Sequence, residues 1–178
     1  MSKAIQSIIP TLLFFLFTSF AANAESKWEI VEKEGDDAYF SGDFKSAIAK
    51  YNELIPLLPS NGKEKLANTY CQLANSYIYL GYFENASNYA DKALQMDLES
   101  GNEENISHSY HLLGTIYLEQ KHYSSAEEMF KKSLDMLKKI NVIKTDICAR
   151  LGMLSTTYLK WGKTQQAYET AKEAVEIA

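Results

Sequence analysis

An all-α solenoid of antiparallel helical hairpins is the fold this sequence predicts, on three observations. A pattern of small, aromatic and turn-forming residues recurs four times. Its turn positions Gly42, Gly81, Lys121 and Gly162 lie 39, 40 and 41 residues apart. The residues between them carry apolar side chains at helical steps and lack the alternation a strand needs. A unit of about 40 residues made of two helices is one hairpin, and hairpins of this kind bury their apolar faces only by stacking on one another.

Taken in chain order, residues 1–24 read as a secretion signal. Lys3 gives a positive start, Ile8 to Phe20 form a short apolar core, and Ala22-Asn23-Ala24 has the small-x-small form of a cleavage site. The apolar run is short for a bilayer, and no positive stop-transfer cluster follows it. Cleavage and a periplasmic or secreted location are therefore expected, with no membrane span afterwards; an uncleaved anchor is the other reading. Residues 25–178 then form a repeat domain of four hairpins, at about 28–61, 67–101, 107–141 and 148–178.

Each matched residue has a physical task within its hairpin. Gly35, Ala74, Gly114 and Ser155 put a small residue in the first helix, and Ala47, Ala86, Ala126 and Ala167 put one in the second, so that the pair can lie close. Tyr77, Tyr117 and Tyr158 fill the space between helices, with Ala38 in their place in the first unit. Gly42, Gly81 and Gly162 end the first helices by adopting positive φ, and Lys121 must do so at a cost. Phe44, Phe83 and Tyr123 close the turns; Thr164 replaces them in the last unit, which predicts a looser fourth turn. Tyr51 and Leu54, Ala90 and Ala93, Phe130 and Ser133, and Ala171 and Ala174 continue the second helices on one face.

The joints between hairpins are also visible. Pro56-Leu57-Leu58-Pro59-Ser60-Asn61-Gly62 stops a helix, and Asn61 with Glu64 is expected to cap the next one reciprocally. Gly101-Asn102-Glu103-Glu104 supplies a helix end, a cap and two acids in a first turn. Ile140-Asn141-Val142-Ile143 is a weaker break. The expected helices are 27–41, 44–56, 63–80, 83–99, 103–120, 123–139, 143–161 and 164–177.

Composition excludes several function classes. The net charge is −5 with Lys mixed among Asp and Glu, which leaves no basic footprint for nucleic acid. Cys71 and Cys148 form no C-x-x-C pair, and a whole unit separates them, so two reduced thiols are expected. His108 and His111 lie three apart, but His122 falls about 16 Å beyond His111 by helix rise, an incomplete metal set. Cys71 with His111 lacks an orienting third group. No catalytic residue, metal or cofactor is expected.

Tyr70, Leu73, Ala74, Tyr77, Gly81, Phe83, Ala86 and Ala93 closely resemble the tetratricopeptide repeat, as do Tyr110, Leu113, Gly114, Tyr117, Tyr123, Ala126 and Phe130. The resemblance covers residues 28–177, with the two outer units diverging most. The period exceeds the usual repeat of about 34 residues. This resemblance implies a right-handed superhelix whose concave side is lined by the first helix of every unit, and a protein or peptide partner in that groove. The implied lining includes Tyr39 from the first unit and Asn68, Cys71, Asn75 and Tyr79 from the second. The third contributes His108, His111, Thr115, Leu118 and Glu119. Tyr39, Asn75 and Tyr79 are the preferred anchors, since aromatic and amide groups combine contact area with orientation. Family members that clamp a chaperone's C-terminal carboxylate use Lys or Arg with Asn, whereas Asn75 has Cys71 and Ile78 for company, which argues against that role. A second expectation is an oligomerisation module or homodimer acting through the apolar edge of Ala171, Ala174, Val175 and Ile177.

Overall fold

The computed structural model describes residues 26–140 and 144–178. The expected signal at 1–24 and the break at 141–143 lie outside them. Every regular element among the described residues is helical: α1 (Lys27–Phe40), α2 (Phe44–Leu54), α3 (Lys63–Tyr79), α4 (Phe83–Ser100), α5 (Glu103–Glu119), α6 (Tyr123–Lys139), α7 (Lys144–Lys160) and α8 (Thr164–Ile177), with one 3-10 turn at Ile55–Leu57. Each helix packs chiefly on its chain neighbours, and α1·α2, α3·α4, α5·α6 and α7·α8 make the tightest pairs. The four hairpins stack in sequence as the periodicity requires.

In the first and third hairpins, residues sixteen apart face each other, and their sizes compensate. A methyl group added to Gly35 would sit 2.8 Å from the Tyr51 ring, and one on Gly114 would sit 2.7 Å from the Phe130 ring. In the second hairpin both sides are alanine, and Ala74 and Ala90 are fully buried. The small residue thus makes room for a specific partner. Ser155 uses its hydroxyl to donate to the Ala167 carbonyl at 2.8 Å, tying α7 to α8.

All four turns inside hairpins share one backbone hydrogen-bond pattern. The residue at positive φ donates to the carbonyl three back, and its successor donates five back: Gly42 to Tyr39 and Asp43 to Ala38, Gly81 to Ile78 and Tyr82 to Tyr77, Lys121 to Leu118 and His122 to Tyr117, Gly162 to Leu159 and Lys163 to Tyr158. Lys121 takes φ +62° as the repeat demanded. The fourth turn is no looser than the others. Its backbone bonds are the same, and the Lys163 ammonium lies over the Trp161 ring while that ring stacks on Tyr123. Thr164 loses an aromatic cover that Trp161 restores from the other side of the turn.

The joints are met with one correction. Asn102 caps α5 by accepting from the Glu104 and Asn105 amides, after Gly101 at φ +71° closes α4. The Asn61–Glu64 cap does not form. Gly62 occupies the cap position of α3 without side-chain help, because its own amide donates to the Pro59 carbonyl at 2.8 Å and draws the chain into the helix one residue later.

Three apolar clusters run along the stack and merge through tyrosines. Val31, Ala47, Tyr51, Leu54 and Leu73 form the first; Ala74, Ala86, Ala90, Ala93, Leu112, Leu113 and Ile116 the second; Leu118, Ala126, Phe130, Leu134, Leu151, Leu154, Tyr158 and Ala167 the third. Tyr70, Tyr77 and Tyr89 pack against the first two clusters and Tyr117 against the last two, so the core is continuous across unit boundaries. Several buried polar groups between the helices are paired. Ser107 and Ser133 bond each other and each other's carbonyls, Ser109 donates to Asp97 at 2.6 Å, and Tyr158 donates to Glu127 at 2.7 Å.

Candidate partner-binding groove

The first helices α3, α5 and α7 touch one another more closely than any two second helices do, which puts them on the inner side of the stack. Steps of three, four and four carry one face along α3 through Asn68, Cys71, Asn75 and Tyr79, and the same face along α5 through His108, His111, Thr115 and Glu119. These two rows are separated by 40 residues at every position, so one register displays both.

At the hairpin-turn end of the groove, Tyr39, Phe40, Phe44 and Tyr79 form an aromatic cluster. Tyr79 stacks on Phe44 with centroids 4.4 Å apart and meets Tyr39 edge-on at 6.0 Å. Tyr79 remains 63% exposed and Phe40 80% exposed, so the cluster offers ring faces to the solvent. Burial, reinforced by the Tyr79 phenol beside it, pushes the Tyr39 hydroxyl up to about 12, and it stays a neutral donor across the physiological range. The sequence reading assigned Phe44 only to closing the turn; its stacking makes it part of this surface.

Next along the groove, α1, α2, α3 and His108 enclose a cleft of about 300 Å³, lined among others by Glu32, Asp36, Lys65, Asn68, Asn75 and His108. Its charges are already matched. Lys65 pairs with Glu32 at 2.9 Å, and the Tyr51 hydroxyl donates to Asp36 at 2.8 Å. Burial, with the Asp36 carboxylate beside it, raises the Tyr51 hydroxyl above its ordinary value. Asn68 and Asn75 offer amides from the floor. Cys71, expected as a groove contact, lines this cleft from its buried floor, with its thiol 3.8 Å from the Ser109 hydroxyl between α3 and α5. Burial pushes the Cys71 thiol up to about 12, which leaves it protonated and inert. Leu118, also expected in the lining, turns into the third cluster.

The third stretch joins α5 to α7. His108 opens onto the groove and His111 is half-buried against the Phe130 ring, with centroids 5.5 Å apart. Burial lowers the basicity of both, and the charge of Arg150 on α7 lowers it further; His111 is held down to about 3. Thr115 is turned back on its own helix, donating to the His111 carbonyl at 3.1 Å, and Glu119 pairs with Lys160 at 3.7 Å. Arg150 escaped the sequence reading, although the signal was available: it is the chain's only arginine. Both cysteines are free, and Cys148 donates its thiol to the Ala174 carbonyl at 3.2 Å. Among the described residues, no three His, Cys, Asp or Glu side chains gather as a metal site, and no helix is long and apolar enough to cross a membrane.

The fold and its turns match known proteins. The tetratricopeptide repeat family matches residues 65–139 and again residues 150–178. The chain is 32% identical over 150 residues to a TPR repeat-containing protein of Methanocaldococcus jannaschii, MJ1428, across 82% of this chain and 24% of that protein. Among solved structures it resembles BtubC from P. vanneervenii, with TM-score 0.76 and 22% identity over 84% of this chain and 62% of that one. It also resembles aspartyl phosphate phosphatase F from Bacillus subtilis, with TM-score 0.80 and 16% identity over 86% of this chain and 41% of that one. The chain therefore spans about a quarter of the length of that archaeal relative, and the two structural likenesses concern the fold alone.

Proposed function

Because the chain belongs to the tetratricopeptide repeat family, we propose that its concave groove holds an extended segment or a helix of a protein partner, and that it does so outside the cytoplasm. Membership in a family of repeat scaffolds supports a binding role for the chain. The observation that carries the groove reading is the contiguity of two unlike surfaces on the inner face. Exposed ring faces of Tyr79 and Phe40 adjoin a polar cleft that presents Asn75 and Asn68. Such a surface suits a segment with an apolar side chain at one end and backbone amides to satisfy along the rest. Recovery of partners from cell extract by the protein and by its Tyr39→Ala, Asn75→Ala, Tyr79→Ala triple variant tests it; a partner recovered by the parent and lost by the variant is expected, and equal recovery of every partner rejects this groove.

Export rests on Lys3, the apolar run Ile8–Phe20 and Ala22-Asn23-Ala24. Fractionation of producing cells should place the chain in the envelope or medium with Glu25 at its N-terminus, and a cytoplasmic chain retaining Met1 would refute this. A second reading is association through α8, whose outer face leaves Tyr168 and Val175 largely exposed. Sedimentation over a wide concentration range decides it: a dimer weakened by Val175→Glu supports the edge, and a strict monomer removes it.

A further inference from the structure

A second cavity, of about 300 Å³, opens where the second hairpin joins the third, and none of the groove anchors Tyr39, Asn75 and Tyr79 lines it. Its walls come from the start of α3, the end of α4 and the start of α5. Ala67, which is buried, and Met96, which is half-buried, make its apolar side. Glu64 and Glu99 are exposed at its rim, while Asp97 is only 3% exposed.

Asp97 is half satisfied. The Ser109 hydroxyl donates to its Oδ2 at 2.6 Å, whereas its Oδ1 accepts no hydrogen bond among the described residues and is not sealed from solvent. Helix position explains Glu64, an acid in the first turn of α3, but not Asp97 and Glu99, which stand in the last turn of α4 where the helix field disfavours negative charge. No basic residue in that turn offsets them. Among the described residues none of the three carboxylates forms an ion pair, and neither does Lys63, the one cation of the lining. Burial raises the proton affinity of Asp97, and the Glu64 carboxylate adds to the effect. A buried carboxylate beside like charges is costly until a cation meets it.

The shape of the lining selects the cation. Among the described residues, no three His, Cys, Asp or Glu side chains gather closely enough for a metal ion. A guanidinium is best met by two oxygens in its own plane, and Ser109 has taken one of those on Asp97. An ammonium sends three donors in separate directions, and its alkyl stem can lie on apolar surface. We propose that this cavity binds a primary alkylammonium group, with the ammonium on the free oxygen of Asp97 between Glu64 and Glu99 and the alkyl chain along Ala67 and Met96. A lysine side chain of a protein partner and a free diamine both present this chemistry.

The test follows the methionine methyl resonances of the full chain by NMR at pH 7.5 during titration with Ac-Ala-Lys-Ala-NH2 and with 1,5-diaminopentane. Both should move Met96 saturably and leave Met129 and Met153, which pack in other parts of the core, unmoved. The same peptide acetylated on its lysine should move nothing. Asp97→Asn keeps an acceptor for Ser109 and should weaken binding about tenfold, the effect of losing a hydrogen bond to a charged group. Asp135→Asn, the same charge change on exposed α6, should leave binding unchanged. Should Asp97→Asn fail to fold, the exposed double variant Glu64→Gln, Glu99→Gln carries the test and should weaken binding about threefold. Tighter binding of the peptide supports the site with a partner's lysine as its source, and tighter binding of the diamine supports it with a small amine. A still Met96, an equal response to the acetylated peptide, equal affinity for Ac-Ala-Arg-Ala-NH2, equal weakening by Asp135→Asn, or unchanged binding in the Asp97 or double variant would overturn the assignment.

Discussion

A methyl group added at Gly114 would lie 2.7 Å from the Phe130 ring, whereas one added at Gly152 would meet nothing within 4 Å. Both glycines sit inside helices, so alanine gains about 0.5–1 kcal/mol of helix propensity at either place. At Gly114 the gain is outweighed, because Phe130 is fully buried and its ring has nowhere to move; overpacking of this kind costs about 1–3 kcal/mol. Gly152→Ala should raise the unfolding temperature and Gly114→Ala lower it in the same calorimetric scan. His111 supplies a pH signature. Its folded pKa lies near 3 against an ordinary 6.5, so the unfolded chain binds more protons once the pH drops below about 6.5, and stability is lost as the pH falls from there towards 3. Asp97, raised by burial, acts in the opposite sense within the carboxylate range. Thermal melts at pH 7 and pH 5 should show a fall for the parent and a smaller one for His111→Gln, at about 2–4 °C per kcal/mol for a chain of this size. Above about pH 9 the protonated Cys71 produces the reverse trend: the unfolded thiol ionises first, and stability falls as the pH rises towards 12.

Hairpin turns show how far a repeat constrains a single backbone position. Lys121 holds φ +62° where the other three units have glycine at +76° to +82°, with the same hydrogen bonds on either side. The αL conformation costs a non-glycine residue about 1–2 kcal/mol, partly returned by the lower entropy of its unfolded state. Lys121→Gly should therefore stabilise the protein modestly in denaturant titrations without altering the slope. The helices differ in how firmly they are held. Among the helices, α8 buries only Ala167, whereas α5 buries Ile106, Ser107, Ser109, Leu112, Leu113, Gly114, Ile116 and Leu118. Native-state hydrogen exchange should find α8 amides opening by local fraying and α5 amides only near the global stability. These elements were legible because small residue, turn glycine and apolar step recur in one register. The Asn61–Glu64 cap was misread because the backbone bond from Gly62 to Pro59 competes with it, and no periodic pattern announces that bond. The fourth turn was misread because Trp161 compensates for Thr164 from outside the repeated position.

On the scale of the whole molecule, tyrosines shared between adjacent apolar clusters couple the hairpins into one core, so a cavity in one unit should be felt in the next. The inner face could be located from sequence because steps of three and four place Asn75 and Tyr79, or His108 and His111, on a common side. Which of those side chains stay open could not. Cys71 and His111 occupy equivalent places, yet one is covered and the other half-covered, since depth depends on the neighbour across the seam. Arg150 was missed for a related reason: it stands out as the chain's only arginine, but its charge acts on the histidines from α7, across a boundary between hairpins. Hydrogen–deuterium exchange of the protein with and without its captured partner tests the groove most directly. The account predicts added protection along α1, α3 and α5, centred on Tyr39, Asn75 and Tyr79, with α4 and α6 unchanged. Protection confined to those second helices or to α8 would contradict it.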